Sequence, residues 1–163
     1  MKSKIIKNNS GISILEVVVA MMIITMGMVG VLSLVIQNVK AQYINKNVLI
    51  ASGLAQEGLE LVRNARDLNW LTPGNDWNKD IAGTYTIDYG RHINIVNSID
   101  EARLYIDNDG FYTHTATAAA TNFYRLITVV DNSEYLDIKC VVRWKDGMEN
   151  HNYTAATYLY NWR

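Results

Sequence analysis

Residues 17–36 read VVVAMMIITMGMVGVLSLVI, and this stretch decides the fold of the N-terminal part of the chain. Only Thr25 and Ser33 in it are even weakly polar. A helix rises about 1.5 Å per residue, so a helix of this length spans about 30 Å, the thickness of a bilayer's hydrocarbon core. The stretch therefore predicts a transmembrane helix, and no other segment of the 163-residue chain is apolar for so long.

The residues before this stretch are basic. Lys2, Lys4 and Lys7 precede the first acidic residue, Glu16. By the positive-inside rule the lysines stay in the cytoplasm, so residues 37–163 are expected on the other side of the membrane. A secretory signal peptide has a shorter apolar region, followed by a cleavage site between small residues. Because the apolar run here leads into further helical sequence, we expect it to remain on the protein as an anchor.

Gly11 and Glu16 distinguish this N-terminus from that of an ordinary signal anchor. Gly11 lies at the junction of the basic leader and the apolar run, where a cut would leave the whole hydrophobic helix on the mature chain. Glu16 places a carboxylate inside the apolar segment. A charged side chain costs about 2.5–3.5 kcal/mol at the centre of a membrane helix and less towards the interface. Such an acid usually has a partner and a function.

The sequence Gly11-Ile12-Ser13-Ile14-Leu15-Glu16 behind a short lysine-rich leader resembles the cleavage and methylation motif of type IV prepilins. The resemblance implies that a prepilin peptidase cuts after Gly11 and N-methylates Ile12. It also implies that Glu16, the fifth residue of the mature chain, is needed for assembly. The implied partners are other pilin or pseudopilin subunits, contacted through the N-terminal helix, the prepilin peptidase, and an inner-membrane assembly platform.

The apolar helix departs from the family pattern in two ways. Ile12 stands where many members have Phe or Met, and the helix lacks the proline that major pilins often carry, since Pro73 is the only proline. Gly27 and Gly30 either loosen the helix or allow close packing of membrane helices, and both interpretations stay open. The missing proline favours a minor pilin or pseudopilin over a major pilin.

Beyond the apolar segment the pattern predicts a second, amphipathic part of the same helix, which ends near Asp67. We expect a basic leader at 1–11, a transmembrane or filament-core helix at 12–36, an amphipathic helix at 37–68 and a β head at 69–163. The predicted apolar stripe of the amphipathic part has spacings of three, four or seven residues. Its members are Val39, Tyr43, Ile50, Leu54, Leu61, Ala65 and Leu68.

The rest of the chain alternates in the manner of β-strands. Strands are predicted at 84–89, 103–106, 111–113, 123–130, 135–144 and 153–162, and Asp107-Asn108-Asp109-Gly110 predicts a hairpin turn. Short connections imply an antiparallel sheet with one face covering the amphipathic helix. The predicted fold class is therefore α+β, and the family resemblance implies a pilin lollipop. Residues 51–58 and 158–163 resemble, more loosely, minor pilins and pseudopilins of the V/I type.

No motif in the sequence predicts an enzyme or a cofactor. His92, His114 and His151 share no ligand spacing, and Cys140 is expected to be a buried thiol in a strand. Asp107 and Asp109 offer a fragment of a calcium loop, for which a β-turn is the preferred interpretation. The net charge of −1 and the scattered arginines make nucleic acid an unlikely partner.

The predicted function is that of a structural subunit of a type IV pilus-like filament. The chain would be a single-pass protein of the cytoplasmic membrane before assembly and part of an extracellular or periplasmic filament afterwards. Two alternatives stay open. One is a DNA-binding or adhesive module of a competence or attachment pilus, and the other is an unprocessed single-pass membrane-anchored protein.

Overall fold

The computed structural model of the chain describes residues 11–90, 92–116 and 119–162. These residues form one long helix, α1, and an antiparallel sheet, so the predicted α+β class is confirmed. The contacts divide the chain into two compact units, and the boundary along the sequence lies between Ile44 and Asn45. The helix spans Ile14–Leu71, and the strands are β1 Gly83–Ile87, β2 Ile93–Ile95, β3 Arg103–Ile106, β4 Tyr112–Thr113, β5 Ala119–Asp131, β6 Tyr135–Asp146 and β7 Glu149–Tyr160.

Helix α1 continues three residues beyond the predicted end at Leu68. Two of these residues, Asn69 and Trp70, make side-chain contacts. The amide of Asn69 donates to the carbonyl oxygens of Trp77 (3.3 Å) and Lys79 (2.8 Å). The indole of Trp70 lies 4.4 Å from the Arg66 guanidinium. The helix ends before Pro73 and Gly74, and Gly74 adopts a φ of +85° that favours glycine.

The long strand β5 is the centre of the sheet. One of its edges pairs with β6, which in turn pairs with β7. The other edge is shared: β3 pairs with the first half of β5, and β1 with its second half. Between these partners the N–H of Arg125 donates to the carbonyl oxygen of Ala102 at 2.9 Å. Strands β2 and β4 extend β1 and β3 outwards.

One face of this sheet packs against the second part of α1, within the unit that begins at Asn45. Along β6, Ile138, Cys140, Val142 and Trp144 are all buried, as their alternation predicts. The core that they form with α1 holds apolar side chains from both elements. Removing apolar surface from water contributes about 25 cal/mol per Å², so this contact supplies much of the unit's stability. The core helix residues are Ala51, Leu54, Ala55 and Val62.

The predicted apolar stripe of α1 is confirmed in part. Leu54 is buried, and Ile50, Leu61 and Ala65 are partly buried against the same core, while Val39 and Tyr43 are 61% and 47% exposed. The buried face runs through smaller and more polar residues, Asn47, Ala51, Ala55, Gly58, Val62 and Arg66 among them. Small residues let the helix axis approach the sheet, and a pattern search that scores apolar size cannot detect this advantage.

At Gly58 the helix α1 lies in close contact with the sheet. A Cβ atom at this position would lie 2.8 Å from Cys140 Sγ and 3.3 Å from both Arg125 Cδ and Ile127 Cδ1. The first distance is shorter than a normal contact between these atoms, so the neighbours would have to move. At Gly53, one turn earlier on the same helix, nothing lies within 4 Å of the added atom.

The strand predictions were confirmed in position for most elements. The turn after Asp107 joins β3 and β4, with Gly110 at a φ of +87°. Strand β7 begins at Glu149, four residues earlier than expected, because its polar residues Asn150 and Asn152 pair along β6. Strand β2 was missed, since its three residues are too few to show an alternation.

We expect Gly58→Ala to be less stable than Gly53→Ala by about 1–3 kcal/mol, the usual cost of overpacking a core. Both changes bring the same gain in helix propensity, about 1 kcal/mol, so their difference isolates the contact with Cys140. Denaturant unfolding of the full chain in detergent, followed by far-UV circular dichroism, measures it. Equal stability of the two variants would contradict the close packing at Gly58.

Candidate functional site

The predicted processing and assembly residues lie together at the start of α1. Gly11, Ile12 and Ser13 precede the helix, and the Ser13 carbonyl oxygen accepts the N–H groups of Glu16 (3.0 Å) and Val17 (3.3 Å). Glu16 is therefore in the first helical turn. Ile12 is 76% exposed, and Gly11 has open space around its Cα atom. The peptide bond after Gly11 is accessible, while residues 1–10 of the predicted leader lie outside the described residues.

The helix surface beyond Glu16 is apolar on every side. Its large apolar side chains are exposed, from 42% at Val17 to 70% at Val29. The helix is long and apolar enough to cross a membrane, and none of its most apolar window is buried. An apolar surface of this size needs lipid or other apolar helices around it. The arrangement is consistent with a single-pass membrane anchor.

Glu16 is the only charged residue between positions 11 and 39. Among the residues that the structure describes, its carboxylate has no ion-pair partner. The helix runs unbroken through Gly27 and Gly30, where an added Cβ atom would meet nothing within 4 Å. Bare backbone at these two positions allows another helix to come close. This end of α1 therefore presents one carboxylate and an apolar surface to another molecule. At Gly27 and Gly30 that surface lacks side chains.

A second charged group, Arg125, lies at the centre of the unit that begins at Asn45. Its side chain is fully buried, although it belongs to the apolar face of β5. Its Nη1 donates to the Leu54 carbonyl oxygen (3.2 Å) and lies 3.2 Å from Glu57 Oε1, and its Nη2 donates to the Ile87 carbonyl oxygen at 2.8 Å. One guanidinium therefore joins α1, β1 and β5.

Sequence reasoning missed the role of Arg125, which it counted among scattered surface arginines. A signal existed, because Arg125 occupies a core position in the alternation Phe123, Arg125, Ile127, Val129. A charged residue at such a position is buried only when its donors find acceptors. The acceptors are main-chain carbonyl oxygens of distant segments, and the sequence does not indicate where these lie.

Asp88 forms a buried polar network beside β4. Its carboxylate accepts hydrogen bonds from Thr113 Oγ1 (3.0 Å) and from the N–H groups of Gly90 (3.1 Å) and His92 (3.3 Å). Burial alone would raise the pKa of Asp88, but these hydrogen bonds and the charge of His92 lower the pKa below its usual value. The network fixes the segment after β1 against β4.

The Asp107 carboxylate is occupied by its own turn. Its Oδ1 accepts the N–H groups of Asp109 (3.0 Å) and Phe111 (2.9 Å), and its Oδ2 accepts the Tyr89 hydroxyl at 2.8 Å. The bond from Tyr89 is the largest cause of a lowered pKa at Asp107. In the described ranges no three His, Cys, Asp or Glu side chains are grouped to hold a metal ion. Asp107 therefore stabilises the predicted hairpin turn with its own side chain.

The remaining predicted groups occupy structural positions. Cys140 is fully buried, as predicted, and burial raises the pKa of its thiol to about 12. Burial and the charge of Arg125 lower the pKa of His114 to about 4. His151 stacks on Trp144 with 5.3 Å between ring centroids, and His92 lies 3.3 Å from Asp88. The three histidines are thus held in three different local environments.

No protein-family model matches this chain, and neither the curated proteins nor the solved structures include one that is significantly similar to it.

We expect Arg125→Met to destabilise the protein by about 1.5–3 kcal/mol, because it leaves the Ile87 carbonyl oxygen and the Glu57 carboxylate without the guanidinium that they contact. The control is Arg63→Met, which removes an exposed i,i+3 pair with Glu60 and should cost under about 1 kcal/mol. Denaturant midpoints of the two variants give the comparison. If Arg125→Met lowers the free energy of unfolding no more than Arg63→Met does, water must hydrogen-bond the groups that the guanidinium contacts in the wild type.

Proposed function

We propose that this chain is a structural subunit of a type IV pilus-like filament, inserted through its apolar helix, cut by a prepilin peptidase and assembled through the same helix. The observation that carries the proposal is the position of Glu16. It is the sole charge of a long exposed apolar surface, it lies in the first helical turn, and it follows an accessible Gly11 by five residues.

The chemistry of assembly follows from the proposed cut. Removal of residues 1–11 would leave a positive amine on Ile12, four residues before the Glu16 carboxylate. In an apolar bundle a neighbouring chain's carboxylate can pair with that amine. Two unit charges 4 Å apart attract by about 4 kcal/mol at an effective dielectric constant of 20. Desolvation offsets much of this attraction, so the pair sets the register of neighbouring subunits more than it adds affinity.

The rest of the chain supports a non-enzymatic subunit. The lysine-rich leader orients the helix with residues 37–163 outside the cytoplasm. The absence of proline from the apolar helix supports a minor pilin or pseudopilin. The helix and sheet beyond Asn45 supply a folded unit that a filament would display on its surface. The proposed partners are other subunits, the peptidase and an inner-membrane platform.

Processing provides the first test. Co-expression with a prepilin peptidase should yield a chain that starts at Ile12 and carries an N-methyl group, as read by intact-mass and N-terminal peptide mass spectrometry. Gly11→Leu should block the cut, since a peptidase site fitted to glycine excludes a branched side chain, while Ser13→Ala should be cut normally. A chain that keeps residue 1 in membranes containing active peptidase would instead support an unprocessed membrane anchor.

Assembly provides the second test. Glu16→Gln should be inserted and cut normally but should enter filaments about tenfold less, which corresponds to about 1.4 kcal/mol. Val17→Gln is the matched control: it adds the same amide one residue away and keeps the carboxylate. Quantitative immunoblots of sheared filaments against membranes give the ratio. If Glu16→Gln assembles as well as the wild type, the charge pair has no role in assembly.

A further inference from the structure

A small charged cleft lies on the face of the sheet that points away from α1. It has a volume of about 100 Å³ and is lined by Asp100, Tyr124, Arg143, Lys145 and Asn150. The neighbouring Trp144 is buried on the opposite face, so Arg143 and Lys145 project from the outer one. Cross-strand pairing places Arg143 beside Tyr124 and Lys145 beside Asn150, which brings the lining residues together.

The Arg143 side chain is held in place by two contacts. Its Nη2 donates to Asp100 Oδ1, and its guanidinium carbon lies 5.0 Å from the centroid of the Tyr124 ring. Asp100 is fixed in turn by Ser98, whose hydroxyl donates to Asp100 Oδ2 (3.3 Å) and accepts the Asp100 N–H (3.2 Å). Only 18% of the Arg143 side chain is exposed. The guanidinium is therefore pre-organised, and a ligand would lose little entropy in fixing it.

The cleft has hydrogen-bond donors without an acceptor among the described residues, and it has more cations than carboxylates. Lys145 and Asn150 form no side-chain hydrogen bond with the residues that the structure describes. Two cations, Arg143 and Lys145, face the single carboxylate of Asp100. Arg103 adds a third cation 5.9 Å from the Tyr124 ring. The hydrogen bond from Arg143 and the charges of Arg143 and Lys145 lower the pKa of Asp100, so the carboxylate stays ionised and the surplus remains positive.

We propose that this cleft binds a single phosphate or sulfate group. A guanidinium, an ammonium and an amide that converge on one small space are donors suited to a tetrahedral oxyanion. A long polyanion is not favoured, because the positive charge does not continue along β6 beyond this cleft. On β6 the next outward lysine is Lys139, six residues from Lys145 and thus about 20 Å away, and Asp137 follows it. The proposal is independent of processing and of filament assembly.

The test uses the full chain in a neutral detergent and the probes inorganic phosphate and inorganic sulfate. Isothermal titration at low ionic strength should show saturable binding to the wild type. Lys145→Gln should weaken it about tenfold, as expected for the loss of one charge-assisted hydrogen bond. The matched control is Lys139→Gln, which removes the same charge from the same face of the same strand and should change the dissociation constant less than about twofold.

Asn150→Asp is a second variant, which keeps the backbone pairing with Lys145 and adds a negative charge to the cleft. It should abolish binding while the unfolding midpoint stays near that of the wild type. Equal weakening by Lys145→Gln and Lys139→Gln would overturn the proposal, since it would reveal general charge attraction. Absence of saturation in the wild type would also overturn it. So would oligo-dT binding that tightens with oligomer length, which would indicate a polyanion track.

Discussion

The Arg125 guanidinium, which contacts two main-chain carbonyl oxygens and one carboxylate, makes the interaction on which the second unit depends. It is buried at the centre of the apolar face of β5, and it reaches the carbonyl oxygens of Leu54 and Ile87 while lying beside Glu57. A buried charge without these partners would be costly. The guanidinium therefore requires α1, β1 and β5 to take one relative position, and Gly58 permits it by leaving room beside Arg125 Cδ.

The position of α1 against the sheet determines which face of the sheet stays exposed to solvent. The inner face of β6 is committed to α1, so the outward alternation leaves Arg143 and Lys145 on the free face. Their cleft forms because β5 and β7 place Tyr124 and Asn150 beside them in register. The pairing of β5, β6 and β7 therefore places apolar side chains on the inner face of the sheet and this group of polar side chains on the outer face. A register shift of one residue would exchange the two faces and destroy both.

The sequence alone allowed prediction of the fold class, the long helix, the hairpin at Asp107 and the inward face of β6. These features depend on local composition or on an alternation of period two, both of which can be read along the chain. The most deeply buried residues of α1 were predicted only in part, because their burial depends on Gly58 and its clearance from Cys140, a contact across the fold. Arg125 and the outer cleft were missed for the same reason. Their partners come from segments that are far apart in the sequence, and only the folded chain brings them together.

Each of the two units has one charged residue in apolar surroundings, Glu16 in the first and Arg125 in the second, and the two differ in their partners. The Nη1 and Nη2 atoms of Arg125 find partners within their own chain, namely two carbonyl oxygens and Glu57, while its buried Nε has none among the described residues. Glu16 has no such partner among the described residues, and it is surrounded by an apolar surface that these residues leave exposed. An unpaired charge is costly both in a protein core and in a bilayer or helix bundle. Once lipid or other helices surround α1, the Glu16 carboxylate therefore needs a positively charged partner. After the proposed cut, the free amine of a neighbouring chain's Ile12 would meet that need with the same chemistry in every copy, and this is the reason for the proposal that Glu16 serves assembly.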